Sequence, residues 1–519
     1  MLTLHARTSA AHRRALAPAP AATRTHLLPV HRRARPRGGR GPTRALLVLL
    51  AGAIALRVWL MLDYGPAFVG FGDSHEYVTA ATLGIFHDVQ KPAGYPLFLV
   101  LAHALSSSLT FTIALQHTLG LATGVLLYAA VRRTGAPAWL GLAPAAVVFF
   151  ASIGVLLEHS LLADPLFTFL QTLSVYAAVR ALGARTLRWA LLAGLAAGAA
   201  FWVKTVGLSE VPVIAGTLAL AGGARLQRRL MLAGVAGTSA LALVLGYVLV
   251  QGLASGYWGY ERQDAWNLYG RVATFVNCTR FTPPAGTRFL CPTQPQSARG
   301  SESYYQYASS APAVRRFGGP AHAPASANAT IERFNVAAIE HQPLAYLGAI
   351  ARSLSFYVTP RSDEGYTPQS LREALVEAKG THSIQPSLSA YYPHAHGYTG
   401  SAGALAPLDY YERHTRIQGA LLIAMLLAAL AGAPLLSGRP RGACVLFLMT
   451  AVCSVVLAAA GNSYDARYGY PAFGPLAAAA ALGAWAIAVR FSQARARLRD
   501  DRQDSDLPTR RRLRAGERP

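Results

Sequence analysis

Lysine is almost missing from this chain. Of 48 basic residues among 519, only Lys91, Lys204 and Lys379 are Lys, and the rest are Arg. Charge of either sign is scarce. It amounts to 14% of residues, against roughly 25% in an average soluble domain, which excludes an ordinary soluble enzyme. Acids are absent from residues 1–44, which hold ten Arg. A nucleotide-cradling G-x-x-x-x-G-K-[ST] is absent too, so no nucleotide site is visible. So is any second Cys pair or spaced His pair that would make zinc plausible. No small-residue cleavage site precedes the first apolar run. The bias toward Arg, Ala and Gly suggests a GC-rich bacterial genome.

What is present is apolar. Hydrophobic residues make up 53% of the chain. Runs long enough to cross about 30 Å of hydrocarbon fall near 45–62, 111–131, 138–157, 165–182, 188–203, 208–223, 230–253, 417–437, 443–461 and 470–489. An all-α polytopic membrane protein of about ten transmembrane helices is expected, with 188–203 and 208–223 short enough to be tilted or re-entrant. The net charge of +24 resembles that of a nucleic-acid binder, but residues 1–44 and 490–519 alone carry +15 of it. They read as a disordered basic cytoplasmic tail at 1–44 and a charged cytoplasmic tail at 491–519. Membrane lipid, and no nucleic acid, is the expected partner of both.

Loop charge sets the expected orientation. Arg132 and Arg133, Arg180 to Arg188, Arg225 to Arg229, and Arg439 with Arg441 fill alternate short loops that contain no acid. The opposite short loops carry only Lys91, Lys204 and Arg467 as cations. Asp63, Asp73, Glu76, Asp88, Glu158, Asp164, Glu210 and Asp465 fall on that same side or at its membrane edge. Both termini are therefore expected in the cytoplasm, and the chemistry outside. The spans themselves read as nearly free of charge.

Residues 254–416 form a mixed extracytoplasmic segment between a transmembrane core at 45–253 and C-terminal helices at 417–490. Within it, 331–358 has helical apolar spacing and reads as one amphipathic helix. Cys278 and Cys291 lie there, thirteen positions apart, and an oxidising compartment permits a disulfide. Cys444 and Cys453 sit in a span and read as apolar packing. A lone His394-x-His396 in a loop is a poor metal site.

Four stretches carry chemistry. In GDSHEYVTAA, Asp73 can begin a short helix with Glu76 and Tyr77 on the same face, as a capping box or as a carboxylate near a substrate. In QKPAGYPLFL, Lys91 either snorkels or holds a phosphate as a point charge, with Tyr95 nearby. Glu158 and His159 close the third run, and Asp164-Pro165 in LLADPLFTFL opens the fourth. Arg467 and Tyr468 in ARYGYPAFGPL stand before the last run.

In order and placement these stretches resemble the GT-C class of polytopic glycosyltransferases. They resemble in particular the bacterial lipid-carrier-dependent enzymes related to protein O-mannosyltransferases and lipid A aminoarabinose transferase. The resemblance covers 45–223 well and 417–490 more loosely, and it does not reach 254–416. It implies an inverting transfer of a hexosyl or pentosyl group from a polyprenyl-phosphate carrier. The acceptor is a hydroxyl of a cell-envelope glycan, lipid or protein. It implies Asp73 as catalytic base and Lys91, Tyr95, Asp164, His159, Arg467 and Tyr468 around the substrate. Members often have adjacent acids in the first loop. Here Ser74-His75 separates Asp73 from Glu76, so the base is one or the other. No cofactor is firmly implied, and a divalent cation (Mg or Mn) is left open. Two other readings remain: a transporter or lipid flippase, and an inactive scaffold of the same fold.

Overall fold

The computed structural model describes residues 40–69, 72–87, 89–221, 225–321, 323–359, 386–395 and 405–515. His396, Asp88, Lys379 and residues 1–39 of the N-terminal tail lie outside them. The description concerns the unit Pro42–Pro519.

Among the described residues the chain is helical, with no strand. A single parallel bridge joins Phe68 to Ser160. Seven helices are long and apolar enough to cross a membrane. They are Gly41–Asp63, Leu109–Arg133, Asp164–Ala184, Leu226–Ser255, Leu405–Leu435, Gly438–Gly461 and Ala466–Arg499. The pair Ala138–Phe150 and Ser152–Glu158, bent by 55°, makes an eighth if it is one span. The runs expected at 188–203 and 208–223 are helices too, but short ones, Leu187–Val203 and Thr205–Leu220. A third short apolar helix, Gly94–Leu105, was not expected as one. Among the described residues, length and composition alone thus mark seven or eight crossings, with the three short apolar helices besides. Exposed Val48, Leu62, Leu245 and Leu253 on the long helices have no protein to cover them, which is the surface a bilayer covers. The chain is an all-α multi-pass membrane protein.

The bend has a physical cause. Ala151 leaves helical geometry, with ψ at 122°, and frees carbonyls that have no water to turn to. Arg57 Nη1 donates to Phe149 O at 3.0 Å, and the Tyr411 hydroxyl donates to Phe150 O at 3.0 Å. Close packing elsewhere depends on Gly194 and Gly198, a G-x-x-x-G on Leu187–Val203. A Cβ on Gly194 would lie 2.1 Å from Ala236 O, and one on Gly198 would lie 2.7 Å from Leu243 Cβ. Small residues at that spacing let helix backbones approach.

The segment expected to be mixed holds helices and turns and, among its described residues, no strand, and its 331–358 helix is two. Ala325–His341 and Pro343–Val358 meet at Gln342, because Pro343 cannot continue a helix. Ile331, Phe334 and Ala338 bury against Trp266, Tyr269 and Val272 in a core of their own. Cys278 and Cys291 are bonded, with Cα atoms 6.1 Å apart. Cys444 is buried, as expected of packing.

Candidate active site

The loops place the polar residues at one end of the bundle. The helix Gly72–Leu83 carries Asp73 in its first turn. Gly94 then seats the Lys91 stretch on the end of Leu187–Val203, where a Cβ would come 2.5 Å from Trp202 O. Lys204 follows as the extended C-cap residue of that helix, where the helix dipole favours a cation. Arg467 lies in the short turn Ala466–Gly469, whose N-cap Asp465 accepts from Arg467 N at 2.9 Å.

The three cations of the short loops at this end, Lys91, Lys204 and Arg467, converge. Lys91 Nζ lies 3.1 Å from Asp73 Oδ1 and 3.6 Å from Glu76 Oε2. Arg467 Nη1 lies 2.6 Å from Asp73 Oδ2, and its Nε lies 2.9 Å from Asp465. Lys204 Nζ lies 2.6 Å from Asp164 Oδ1 and 5.4 Å from the centre of the Tyr468 ring. Asn462 Nδ2 donates to the Tyr468 hydroxyl at 2.9 Å.

These groups open on a cavity of about 670 Å³. Its polar end holds Asp73, Lys91, Lys204, Arg467, Glu261 and Asp264. Its walls include Phe167, Val203, Val206, Leu208, Leu241 and Leu457. Such a space fits an amphiphile with an anionic head.

Protonation follows from the pairing. Burial disfavours a charged Asp73, but Arg467 and Lys91 outweigh it through charge and hydrogen bonds, and hold its carboxyl well below the usual carboxylate range. Burial likewise disfavours the Lys91 ammonium. Asp73 and Glu76 overcome that and keep it protonated well above its ordinary range. Glu261 and Asp264 behave oppositely. Burial raises both, and the neighbouring Asp264 raises Glu261 further. Thr205 Oγ1 donates to Glu261 at 3.5 Å.

Of the residues singled out in the sequence, Asp73, Lys91, Arg467 and Tyr468 line the cavity. Glu76 stands behind Lys91, and Asp164 is buried behind Lys204. Tyr95 is fully buried and donates to Gln116 Oε1 at 2.5 Å. His159 is fully buried between His117 and Tyr64. Neither Tyr95 nor His159 is among the residues that line the cavity. Sequence reasoning missed Lys204, Glu261, Asp264 and Asn462 at the wall. The near-absence of Lys was the available signal for Lys204, since two of the three lysines meet here. It also missed Arg57 inside the first span, whose carboxylate partner Glu158 is fully buried, so the spans are not free of charge.

The donor set does not fit a divalent cation. Both oxygens of Asp73 are taken by cations. Among the described residues no group of three or more His, Cys, Asp or Glu gathers to hold a metal.

No family model and no curated protein matches the chain. Among solved structures it is similar to the archaeal oligosaccharyltransferase AglB from Archaeoglobus fulgidus in complex with an inhibitory peptide and a dolichol-phosphate. Identity is 12% and TM-score 0.43, over 92% of this chain and 52% of that one. The apo form of the Archaeoglobus fulgidus oligosaccharyltransferase gives 12% identity and TM-score 0.44, over 90% and 52%. ArnT from Cupriavidus metallidurans bound to undecaprenyl phosphate gives 14% identity and TM-score 0.33, over 86% and 78%. The chain spans about half the length of the archaeal proteins it matches.

Proposed function

We propose that this chain is a GT-C-type glycosyltransferase that moves a sugar from a polyprenyl-phosphate carrier to an acceptor hydroxyl. The transfer takes place on the extracytoplasmic face of a bacterial cytoplasmic membrane, with both termini inside. The observation that carries the reading is the cavity: the three cations of the short outer loops meet at the head of a space with apolar walls. A carrier phosphate is a compact anion on a long apolar tail, and both parts find a counterpart there.

The chemistry needs few groups. The acceptor oxygen attacks the anomeric carbon from the face opposite the phosphate. The bond from that carbon to the phosphate oxygen breaks, and the carrier phosphate leaves with the electron pair. Configuration is inverted. Negative charge grows on the phosphate, where Lys91, Lys204 and Arg467 stabilise it, so no general acid is required. The acceptor proton goes to Asp73. Its proton affinity is low while it holds Lys91 and Arg467. The incoming phosphate competes for the same two cations, and as they turn to it Asp73 recovers strength as a base.

The transporter reading draws on Arg57, Glu158 and Glu210 inside the apolar bundle. None of these lines the cavity. Glu210 is held by Gln171 at 2.9 Å and Thr450 at 3.1 Å.

The test is to incubate purified protein with radiolabelled polyprenyl-phosphate sugars and count released carrier phosphate. Release with an intact acceptor product is expected for at least one donor. Lys91→Ala removes a charge-assisted contact of roughly 1.5–3 kcal/mol, a loss of about 10- to 150-fold in transfer per folded protein. Normal transfer in correctly inserted Lys91→Ala would remove Lys91 from the site. No release from any donor in the wild type would remove the function.

A further inference from the structure

Away from the cavity, four titratable side chains form a connected chain inside the bundle. Arg57 Nε and Nη2 donate to the two oxygens of Glu158 at 2.7 and 2.9 Å. Glu158 Oε2 faces His117 Nδ1 at 3.0 Å. His117 Nε2 faces His159 Nδ1 at 3.1 Å, and His159 Nε2 faces Tyr64 O at 3.0 Å. The four residues are between 0% and 3% exposed. The seat is built to measure: a Cβ on Gly120 would lie 1.8 Å from Glu158 Oε1. Gln116 Nε2 holds Glu158 O at 3.0 Å and Ser160 O at 2.7 Å.

The contacts fix the number of protons. A carbonyl only accepts, so His159 Nε2 must carry the proton it gives to Tyr64 O. One proton must lie between the two ring nitrogens of His117 and His159. One more must lie between His117 Nδ1 and Glu158. Three contacts therefore need three protons, whereas two neutral imidazoles bring two. Burial and the neighbouring His117 push His159 down to about 3, so the third sits on Glu158 or on His117, and moving it between the two leaves every contact made. Without it, two lone pairs face each other across about 3 Å in a buried setting, which is costly.

The far end of the chain holds the foot of the first outer loop. Tyr64 directly follows the first span. Phe68 N donates to His159 O at 3.0 Å, and Leu161 N donates to Phe68 O at 3.4 Å. Asp73 comes next, in the first turn of Gly72–Leu83. We propose that Glu158, His117 and His159 are positioning residues, that Glu158 and His117 share one resident proton, and that this proton keeps the loop carrying Asp73 in place. The other charged and titratable groups facing the chain are Arg57 from the first span, Tyr411 from Leu405–Thr415 and Tyr470 from the last helix.

Only the kinetic part of the test rests on the transferase reading. The first measurement is nitrogen-15 NMR of histidine-labelled full-length protein in bilayers at neutral pH. One doubly protonated ring, or one ring sharing its proton with a carboxylate, is expected among the 15 histidines, and it should vanish in His117→Phe. Only singly protonated rings, with every nitrogen typical of an isolated neutral imidazole, would overturn the proposal. The second measurement is the pH profile of transfer in Arg57→Met/Glu158→Gln. Both buried charges leave together, which a folded core tolerates. The amide introduced at 158 donates to His117 Nδ1, so the chain closes without its extra proton. The wild type should lose transfer at alkaline pH, and the double variant should keep it to at least one pH unit higher. An unchanged alkaline fall would overturn the proposal, whereas a purely packing role would lower yield and leave the profile alone. If the double variant does not fold, the NMR result on the wild type decides. If no donor supports transfer, the function fails while the NMR result still stands.

Discussion

Asp73 is where the electrostatics of the site are most informative. Its two oxygens hold Lys91 and Arg467, so the same carboxylate that is proposed to take a proton also competes with the donor for two cations. Asp73→Asn keeps the shape and removes the charge. It should lower transfer by at least about a hundredfold, the scale of a lost general base. It should also tighten binding of polyprenyl phosphate by about tenfold, because freeing even one charge-assisted contact is worth more than 1 kcal/mol. A lipid-phosphate binding assay on the variant decides this. Weaker binding would mean that Asp73 helps hold the donor instead of competing with it. Glu76, the alternative base from the sequence, stands on the far side of Lys91 and is absent from the cavity wall. The same transfer assay on Glu76→Gln should show a smaller loss.

Elements bring these residues together through close backbone approach. Leu187–Val203 packs against Leu226–Ser255 because Gly194 and Gly198 leave no Cβ between them. Its end sets Lys204, and Gly94 sets Lys91 against that end. Gly198→Leu should therefore cost about 1–3 kcal/mol, the range for an overpacked core. It should also reduce transfer by displacing Lys204. Gly216 is the control, since a Cβ there meets nothing within 4 Å. Gly216→Ala should be neutral or stabilising by up to about 1 kcal/mol. Thermal unfolding in one detergent compares them, and equal melting points for the two variants would refute the packing argument.

At the scale of the whole molecule, the bundle and the outer helices meet around the cavity. Arg271 donates to Asn462 O at 3.0 Å and pairs with Glu302 at 2.8 Å. Gln306 donates to Asn462 Oδ1 at 3.1 Å, and Asn462 in turn holds Tyr468 beside Arg467. Arg262 N donates to Val89 O at 2.8 Å, close to Lys91 in the chain. The loops at the other end of the bundle hold Arg and no acid. That asymmetry predicts that reporter fusions after Arg133, Arg229 and Arg441 read cytoplasmic, and that one at Ala298 reads external. A cytoplasmic signal at Ala298 would put the cavity on the wrong side for an extracytoplasmic acceptor.

Apolar run length determined the fold class, because a helix that satisfies its own backbone is the simplest way for a long apolar segment to cross a bilayer. Loop charge separated the end with acids from the end with Arg. Scarcity marked Lys91, and the Asp73 stretch stood out for its acids in an apolar chain. The pairing was decided only by tertiary structure. Residues 73, 91, 204 and 467 are far apart in sequence and share no periodicity, so nothing local says which cation meets which acid. Nor does sequence tell a charge at a cavity from one inside a packed core. His159 and Tyr95 looked like site residues by their neighbours in the chain, and packing took both away from the wall. Arg57 was passed over inside an apolar run. A buried Glu158 on another helix makes it a partner, and that contact depends on a glycine at 120 that no pattern in either run announces.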